Sequence, residues 1–265
     1  MSSKNLLSVK ELKKYYTSDT GFNLLVLDNI NFSFESDEER GKIKTVLAPL
    51  GAGKSTLLKI IAAVEKASQG SVILNGKEYN IPAGEIVYIP EKPSSFPWYN
   101  VRENIEFPLK TSSNNSESSV NNLISLVGLA GYEDHFPHNK SYGFRFRISL
   151  ARALSVNPKI VLIDDSFKNM DPETRDEIYQ LIKVISSELK INFLLGTTNI
   201  HEAIFLSDEI LLMKKNPGTV FKEINIKEKI QLKDFTATKD VIALRDEIES
   251  YFRAENIGET VNFSI

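Results

Sequence analysis

Cysteine is absent from this sequence, and tryptophan and histidine are scarce. The 265 residues contain no cysteine, one tryptophan and three histidines. The absence of thiols excludes a disulfide scaffold, a zinc site built from thiolates and a cysteine nucleophile. Because 42% of the residues are hydrophobic and 25% are charged, the chain can bury a core of ordinary size, in one large domain or two small ones.

Long apolar runs and a strong charge bias are also missing. No run approaches the roughly 20 apolar residues that a membrane-spanning helix needs, and residues 1–7 contain no apolar stretch long enough for a signal peptide. The formal net charge of -3, from 32 basic and 35 acidic residues, argues against a general nucleic-acid binder, whose surface would be basic. We therefore expect a soluble intracellular protein that reaches a membrane only through a partner.

A phosphate-binding loop is the clearest motif in the chain. Residues 48–56 read A-P-L-G-A-G-K-S-T and lie between the apolar run 45–47 and the helix-like segment 57–61. Small residues allow successive backbone N–H groups to close around a phosphate at the N-terminus of a helix. In such loops the lysine, here Lys54, reaches the β- and γ-phosphates, and the hydroxyl of the next residue, here Ser55, ligates Mg²⁺.

The loop predicts binding of a nucleoside triphosphate. The residues expected to contact the nucleotide are Ala48, Pro49, Leu50, Gly51, Ala52, Gly53, Lys54, Ser55 and Thr56. The pattern usually opens with glycine, so the backbone at Ala48 must have a φ that a Cβ tolerates. The alternative is a glycine-rich turn with a chance lysine. It is disfavoured because strand, loop and helix stand in the order that the motif requires.

Strand and helix patterns alternate along the rest of the chain. Strand patterns cover 21–27, 30–34, 71–77 and 84–89, and the pair Asn75-Gly76 is typical of a hairpin turn. The Ser/Asn-rich stretch at 111–119 is the best candidate for a mobile loop. Helical patterns dominate from there to Leu154 and return at 240–249.

Two neighbouring carboxylates end a second strongly apolar strand. The segment 159–165 is apolar on both faces, as strands covered by helices on both sides are, and ligands usually lie at the carboxyl end of such a strand. In a nucleotide hydrolase the first acid, Asp164, would hold Mg²⁺, commonly through water. The second, Asp165, would polarise the attacking water. The alternative is a pair of solvated turn residues.

The order of these motifs resembles that of the ATP-binding subunit of ABC transporters over nearly the whole chain, and most closely the nitrate, sulfonate and taurine importer group. The closer match rests on 95–104 (SFPWYNVREN), 200–208 (IHEAIFLSD) and 215–220 (KNPGTV). The resemblance implies that the nucleotide is ATP, held with Mg²⁺ between two such chains in a head-to-tail dimer. It places Tyr16 where the family has the aromatic residue that stacks on adenine, with Tyr15 as the alternative.

The resemblance also implies partners and a location. A second ABC ATPase subunit, identical or paralogous, would complete the dimer, and an integral membrane permease would bind it. An extracytoplasmic solute-binding protein would choose the substrate together with the permease, and no nucleic acid is expected. The chain would lie in the cytoplasm, peripherally on the inner face of the cell membrane. Trp98 is a candidate anchor for the permease, or else it packs within the helical part.

Three catalytic positions depart from the family pattern. Glu91 stands where the family has glutamine, and an acid there can ligate Mg²⁺ or meet the nucleophilic water. Asp165 replaces the catalytic glutamate, which shortens the reach of the carboxylate by about 1.5 Å, although a base must lie within hydrogen-bond distance of its water. Thr198 replaces the switch histidine and can hydrogen-bond the γ-phosphate. His201, one helical turn away, is the alternative switch, but its position matches an ordinary surface residue of the family.

The signature loop of the family departs as well. Its sequence, Leu-Ser-Gly-Gly-Gln, aligns with residues 140–144, which read Lys-Ser-Tyr-Gly-Phe. Ser141 and Gly143 are retained and would contact the ATP held by the other subunit. Tyr142 places a ring where backbone would approach the γ-phosphate. No pairing that involves this chain therefore gives a fully standard composite site.

We expect an α/β fold, a P-loop NTPase core of the ABC type with an antiparallel β edge and an inserted α-helical subdomain. The core would comprise 1–91 and 155–225, the helical signature subdomain 92–154, and a short C-terminal extension 226–265. The expected function is that of an ATP-binding importer subunit with slow hydrolysis. The alternative is a non-hydrolysing ATP-binding regulatory or structural subunit. An ABC ATPase acting on nucleic acid or ribosomes is disfavoured because those proteins generally carry two such domains or long inserted arms.

Overall fold

The computed structural model of the chain describes residues 4–17, 21–111, 117–226 and 239–255. These residues form two β-sheets and the helices that cover them. The strands are β1 Lys4–Thr17, β2 Asn23–Ser36, β3 Ile43–Leu47, β4 Gln69–Leu74, β5 Lys77–Glu78, β6 Ile86–Ile89, β7 Ile160–Asp164, β8 Asn192–Thr197, β9 Glu209–Lys214 and β10 Thr219–Asn225. The helices are α1 Lys54–Ile61, α2 Val101–Glu106, a 3₁₀ helix Phe107–Thr111, α3 Glu117–Leu126, α4 Tyr142–Ser155, α5 Pro172–Leu189, α6 Ile200–Leu206 and α7 Lys239–Glu255.

The larger sheet carries the phosphate loop. Its strand order is β10-β9-β3-β8-β7-β6, in which β10 pairs antiparallel at one edge and the other five strands are parallel. In β7, Ile160 and Leu162 face α1 and the second sheet, whereas Val161 and Ile163 face α4 and α5. Packing on both faces explains why β3, β7 and β8 are buried at every residue. It also fixes their carboxyl ends side by side along one edge of the sheet.

The smaller sheet is antiparallel and has the order β2-β1-β4-β5. The strand patterns predicted at 21–27 and 30–34 are parts of one long strand, β2, which begins at Asn23. Asn75 and Gly76 join β4 to β5 with φ values of 49° and 78°, both positive as a type I′ turn requires, so the predicted hairpin is confirmed. This sheet shares a hydrophobic core with α1 and thereby fixes the helix that begins in the phosphate loop.

The segment between β6 and β7 is helical, as predicted. Its helices α2, α3 and α4 share a core with one face of the parallel sheet. At the start of α2, the Asn100 side chain accepts a hydrogen bond from the Glu103 N–H, and the Glu103 side chain accepts one from the Asn100 N–H, which is a capping box. Of the loop predicted at 111–119, residues 112–116 lie outside the described residues, and 117–119 already belong to α3.

The C-terminal extension contributes α7, which confirms the helix predicted at 240–249. Leu244, Ile248 and Phe252 of α7 are buried in a core shared with α6, β9 and β10, so this helix packs on the nucleotide-binding core. Residues 227–238 and 256–265 of the extension lie outside the described residues. Within the described ranges, no helix combines the length and the hydropathy that crossing a bilayer requires.

Candidate functional site

The phosphate loop leaves the end of β3 and enters α1. Gly51 and Gly53 have φ values of 82° and 91°, which L side chains rarely adopt, and a Cβ on Gly53 would lie 2.8 Å from Cδ2 of Leu27. Gly53 is also the N-cap of α1 and has no side chain to cap it, so the first N–H groups of the helix can serve an anion. Ala48 is not among the described residues with positive φ, which agrees with the conformation predicted for it.

Lys54 is held inside the loop. Its side chain is buried, and Nζ donates to the carbonyl oxygens of Ala48, at 3.0 Å, and Pro49, at 3.3 Å. Burial lowers the pKa of the Lys54 ammonium, and the charges of Asp165 and Asp164 act in the opposite direction. The lysine and both predicted carboxylates therefore interact electrostatically in one site.

Asp164 ends β7 and is 2% exposed. The hydroxyl of Tyr88 on β6 donates to its Oδ2 at 2.8 Å, and burial together with the Asp164 charge raises the pKa of Tyr88. The other oxygen, Oδ1, is buried without a hydrogen-bond partner among the described residues. Such an oxygen suits a metal-bound water, because a buried carboxylate oxygen is costly to leave unpaired.

The oxygen atoms of Ser55 and Asp164 fit a Mg²⁺ ion that also binds the phosphates of a nucleotide. Ser55 lies exposed in the first turn of α1, and Asp164 offers a free oxygen. Among the described residues, no group of three or more His, Cys, Asp or Glu side chains is arranged to hold a metal. Mg²⁺ commonly binds one or two protein ligands, several waters and the phosphates of a nucleotide rather than a cage of protein side chains.

Asp165 follows β7 in an uncommon backbone conformation. Its φ is +46°, a value that Asp and Asn adopt more readily than most residues, and its N–H donates to the Gly196 carbonyl at 2.7 Å. The side chain is 12% exposed. Burial raises the pKa of the Asp165 carboxyl, while the charges of Lys54 and Lys168 lower it.

The structure separates the two candidate switch residues. Thr198 is buried directly after β8, and β8 lies between β3 and β7, so Thr198 shares a sheet edge with the phosphate loop and the carboxylates. His201 is exposed on α6, with its ring stacked at 6.2 Å on Phe205. The position of His201 agrees with that of an ordinary surface residue.

Glu91 is paired with a lysine that the sequence analysis did not single out. Its carboxylate forms an ion pair with Nζ of Lys168, and the same Nζ lies 4.0 Å from Oδ2 of Asp165. The hydrogen bond to Glu91 raises the pKa of Lys168. Its position three residues after Asp165, in the turn that follows β7, is the signal that could have identified it. The role predicted for Glu91 as a metal ligand stays a prediction.

Tyr16 lies next to the phosphate loop. Its hydroxyl donates to Oε1 of Glu65 at 2.5 Å and lies 3.5 Å from Oγ1 of Thr56, and Nζ of Lys14 lies 4.8 Å from the ring centroid. The ring is 41% exposed, so one part of it can receive a ligand. The predicted contact of Tyr16 with adenine, with Tyr15 as the alternative, stays a prediction.

The signature residues lie at the start of α4. Ser141 is the N-cap of this helix, and its Oγ accepts from the Phe144 N–H at 3.2 Å. Gly143 is buried, and a Cβ there would lie 2.2 Å from Cγ2 of Thr174 on α5. The contacts given for these two residues lie within α4 and with α5, and their predicted contact with the nucleotide of a second subunit stays a prediction.

Glu202 is a buried acid that lies behind the site, and no sequence motif identifies it. It lies on α6, is 4% exposed, and accepts a hydrogen bond at Oε2 from the Tyr179 hydroxyl at 3.2 Å. Burial, reinforced by the charge of Asp165, raises the pKa of Glu202 to about 8. Burial thus favours the neutral form of the Glu202 carboxyl, and only its three-dimensional environment reveals this.

Glu202→Gln should make the stability of the protein less sensitive to pH. The unfolded carboxyl titrates at about 4.3 and the folded one near 8, so the wild-type protein loses stability as pH rises between those values. The free energy of unfolding of the variant relative to wild type should increase by about 3 kcal/mol from pH 5 to pH 8. Urea unfolding across this range measures it, with the exposed Glu188→Gln on α5 as control. A difference that stays constant with pH would contradict the prediction.

Comparisons with known proteins agree with this geometry. The sequence profile of the ABC transporter family matches residues 27–168, which is more than half of the chain. The aliphatic sulfonates import ATP-binding protein SsuB of Bacillus cereus is 35% identical over 221 residues, 83% of this chain and 86% of the relative. The nitrate import ATP-binding protein NrtD of Synechocystis sp. is 27% identical over 264 residues, 96% of this chain and 97% of the relative.

Solved structures show the same fold. The ATP-binding cassette MJ0796, as a dimer in a post-hydrolysis state with ADP and phosphate, superimposes with a TM-score of 0.72 at 25% identity, over 83% of this chain and 99% of that one. The protein cbiO1 of Clostridium perfringens, part of the ABC transporter complex cbiONQ, has a TM-score of 0.73 at 22% identity, over 96% of both chains. The fold predicted from the sequence is confirmed, and the chain belongs to the ABC transporter family.

Proposed function

We propose that this chain is the ATP-binding subunit of an ABC importer, coupling ATP binding and slow hydrolysis to transport of a small solute through a membrane permease. The observation that carries the proposal is the convergence of Lys54, Asp164, Asp165 and Thr198 at the carboxyl edge of β3, β7 and β8. The relatives named for sulfonate and nitrate import support a small solute as the cargo.

Each side chain of the site has a different role in the proposed reaction. The loop N–H groups and Lys54 would bind the phosphates. Tyr88 donates to one Asp164 oxygen and leaves the other without a hydrogen-bond partner among the described residues, where it would accept from a water bound to Mg²⁺. Mg²⁺, held by Ser55 and Asp164, would neutralise charge on the phosphates. Asp165 orients and polarises the attacking water, and the Thr198 hydroxyl donates to the γ-phosphate.

Slow turnover follows from the substituted base. Asp165 carries its carboxylate one methylene closer to the backbone than the glutamate of the family does, and a general base contributes about 10² to 10⁴ in rate. Misplacing it would raise the barrier by about 3 to 5 kcal/mol. Binding of the phosphates through Lys54 would be unaffected, because that lysine is positioned by its own loop.

A second ATPase subunit would complete each site. Ser141 and Gly143 stand at the start of α4 and would contact the nucleotide held by the other chain. The half-buried Tyr142 ring, over which the Arg145 guanidinium lies at 4.7 Å, limits how closely the backbone can approach. The dimer of MJ0796 supports such an assembly, in which this chain would pair with a copy of itself or a paralogue.

An exposed aromatic group offers a surface for the permease. Trp98 is 66% exposed and stacks on Phe96 at 5.5 Å. Asn104, fully buried, holds this loop through hydrogen bonds to the backbone of Phe96, Tyr99 and Asn100. A fixed, exposed tryptophan is a natural interface anchor. We propose that it docks on the cytoplasmic face of the permease, whose extracytoplasmic partner would be a solute-binding protein.

The second candidate function is that of a non-hydrolysing ATP-binding subunit that regulates or supports an ABC complex. Lys54, Ser55 and Asp164 suit both functions. The substitutions at Asp165, Thr198 and Tyr142 favour this candidate. The retained acidity and burial of Asp165 favour the enzyme, because a chain without selection for chemistry has no need of a carboxylate there.

The test is to measure binding and turnover together. Isothermal titration of the purified chain with ATP, with and without Mg²⁺, should show metal-dependent binding, and steady-state phosphate release should show slow hydrolysis that rises in the presence of the permease. Binding without turnover in either setting would favour the regulatory subunit. Absence of ATP binding would contradict both candidates, and fast turnover of the isolated chain would contradict the slow step.

A further inference from the structure

A charged pair joins the loops that follow β6 and β7. The Lys168 ammonium is paired with the Glu91 carboxylate and lies 4.0 Å from Oδ2 of Asp165. Lys168 thus stands on one side of Asp165, and Lys54 of the phosphate loop acts on the same carboxyl. Lys168 takes no part in the proposed hydrolysis of ATP.

The fold fixes this pair in place. Strands β6 and β7 are parallel neighbours, and the buried Ser166 hydroxyl donates to the Pro90 carbonyl at 3.1 Å, which ties the two loops together. Phe167 is 1% exposed and anchors the turn in the core. Lys168 and Glu91, on either side of this tie, are therefore kept within reach of each other.

The Lys168–Glu91 ion pair affects the net charge at the site more than it affects the stability of the fold. The side chains of Lys168 and Glu91 are 39% and 40% exposed, and exposed ion pairs contribute little to folding. Glu91, however, adds a third carboxylate to an edge that already holds Asp164 and Asp165. An uncompensated carboxylate would repel a phosphate bound there, since like charges a few ångströms apart interact strongly where solvent is partly excluded.

We propose that Lys168 is a positioning residue of the nucleotide site, which holds Glu91 in a neutral pair so that Glu91 neither repels the γ-phosphate nor ligates Mg²⁺. The inference rests on the proposed binding of ATP at this edge. The pair as a whole then occupies the place where the family has an uncharged glutamine. Ser55 and Asp164 would then be the residues that hold Mg²⁺.

The test compares ATP with ADP, because only ATP carries the γ-phosphate. Titration calorimetry with Mg²⁺ present gives the Kd of each nucleotide for wild type, Lys168→Gln, Glu91→Gln and the double variant. Lys168→Gln should weaken ATP binding about tenfold and leave ADP within about twofold. Glu91→Gln should tighten ATP severalfold, because Lys168 can then attract the phosphate. In the double variant, the ratio of the Kd for ATP to the Kd for ADP should return to within about twofold of the wild-type ratio.

A matched control lies at the other end of the same strands. Lys159 and Glu85 form an exposed ion pair at the amino ends of β7 and β6, so Lys159→Gln removes a similar contact far from the proposed phosphates. This variant should leave the ratio unchanged. Urea unfolding of every variant verifies that each is folded.

Three results would overturn the inference. In the first, Glu91 is a metal ligand. Lys168→Gln would then free the Glu91 carboxylate and tighten Mg²⁺-dependent ATP binding, and Glu91→Gln would raise the Mg²⁺ concentration needed for half-maximal ATP binding. If wild type binds ATP but Lys168→Gln keeps the wild-type ratio, the pair is a surface contact only. If wild type binds neither nucleotide, the proposed function itself fails, and this outcome is visible before any variant is compared.

Discussion

Replacing Lys54 by methionine should weaken the binding of Mg²⁺-ATP by at least about thirtyfold. The buried ammonium is held at the loop carbonyls of Ala48 and Pro49, where it can turn to the phosphates with little loss of side-chain freedom. Removing one partner of a desolvated, hydrogen-bonded charge pair costs about 2 to 5 kcal/mol, and each 1.4 kcal/mol is a factor of about ten in Kd. Titration calorimetry with ATP measures the loss.

A control on the same helix separates binding from folding. Lys59→Met changes a lysine in the last turn of α1 and should leave ATP binding within about twofold. Burial disfavours the charged form of Lys54 and lowers its pKa, so we do not expect Lys54→Met to lower the free energy of unfolding. Unchanged ATP affinity in Lys54→Met would contradict the assignment of the phosphate loop.

The phosphate loop and the strand-end carboxylates were predictable because their signals are local. The loop needs positive φ at Gly51 and Gly53 and a lysine at the first residue of the helix, and all of this lies within nine residues. The run of apolar residues before Asp164 likewise predicts a strand buried on both faces, and β7 is one. Predictions of this kind depend on neighbours in the sequence, and the structure confirms the elements.

The residues that surround these motifs were not predictable, because they arrive from distant parts of the chain. Tyr88 bonds to Asp164 only because β6 pairs with β7 in a particular register. Glu202 has a raised pKa because α6 buries it behind Asp165. Lys168 is close to Asp165 in sequence, but its partner Glu91 lies 77 positions earlier. No single-sequence pattern specifies strand order, so none of these contacts could be derived.

The proposed contribution of a second subunit to the site cannot be derived from one chain. The fold places Ser141 and Gly143 at the start of α4, with contacts to Phe144 and Thr174. Their proposed partner is a nucleotide on another subunit. The resemblance of residues 140–144 to the signature loop of the family implies this role, which stays a prediction. The domain boundaries at 91, 154 and 225 likewise stay predictions, although α2, α3 and α4 do form one helical segment.

Asp165→Asn should slow turnover about a hundredfold while leaving ATP binding within about threefold. Asparagine adopts positive φ as readily as aspartate does, so the backbone at +46° should be retained and only the charge and basicity are lost. A general base contributes about 10² to 10⁴ in rate, and we expect the loss to lie at the lower end because this base is short. Steady-state phosphate release from wild type and variant measures the loss. Equal turnover in both would exclude Asp165 as the base.

Asp165→Glu tests whether the short side chain of Asp165 limits the rate or whether the surrounding residues are arranged for an aspartate. Glutamate restores the methylene that the family has and should raise turnover about tenfold if reach limits the rate. It tolerates the left-handed conformation less well than aspartate, so the free energy of unfolding should fall by up to about 1 kcal/mol. If turnover rises while the free energy of unfolding falls, aspartate at this position gives a lower rate than glutamate but is better suited to the left-handed backbone conformation. Turnover that falls would show that the surrounding residues, including Lys168 at 4.0 Å, are arranged for the shorter acid.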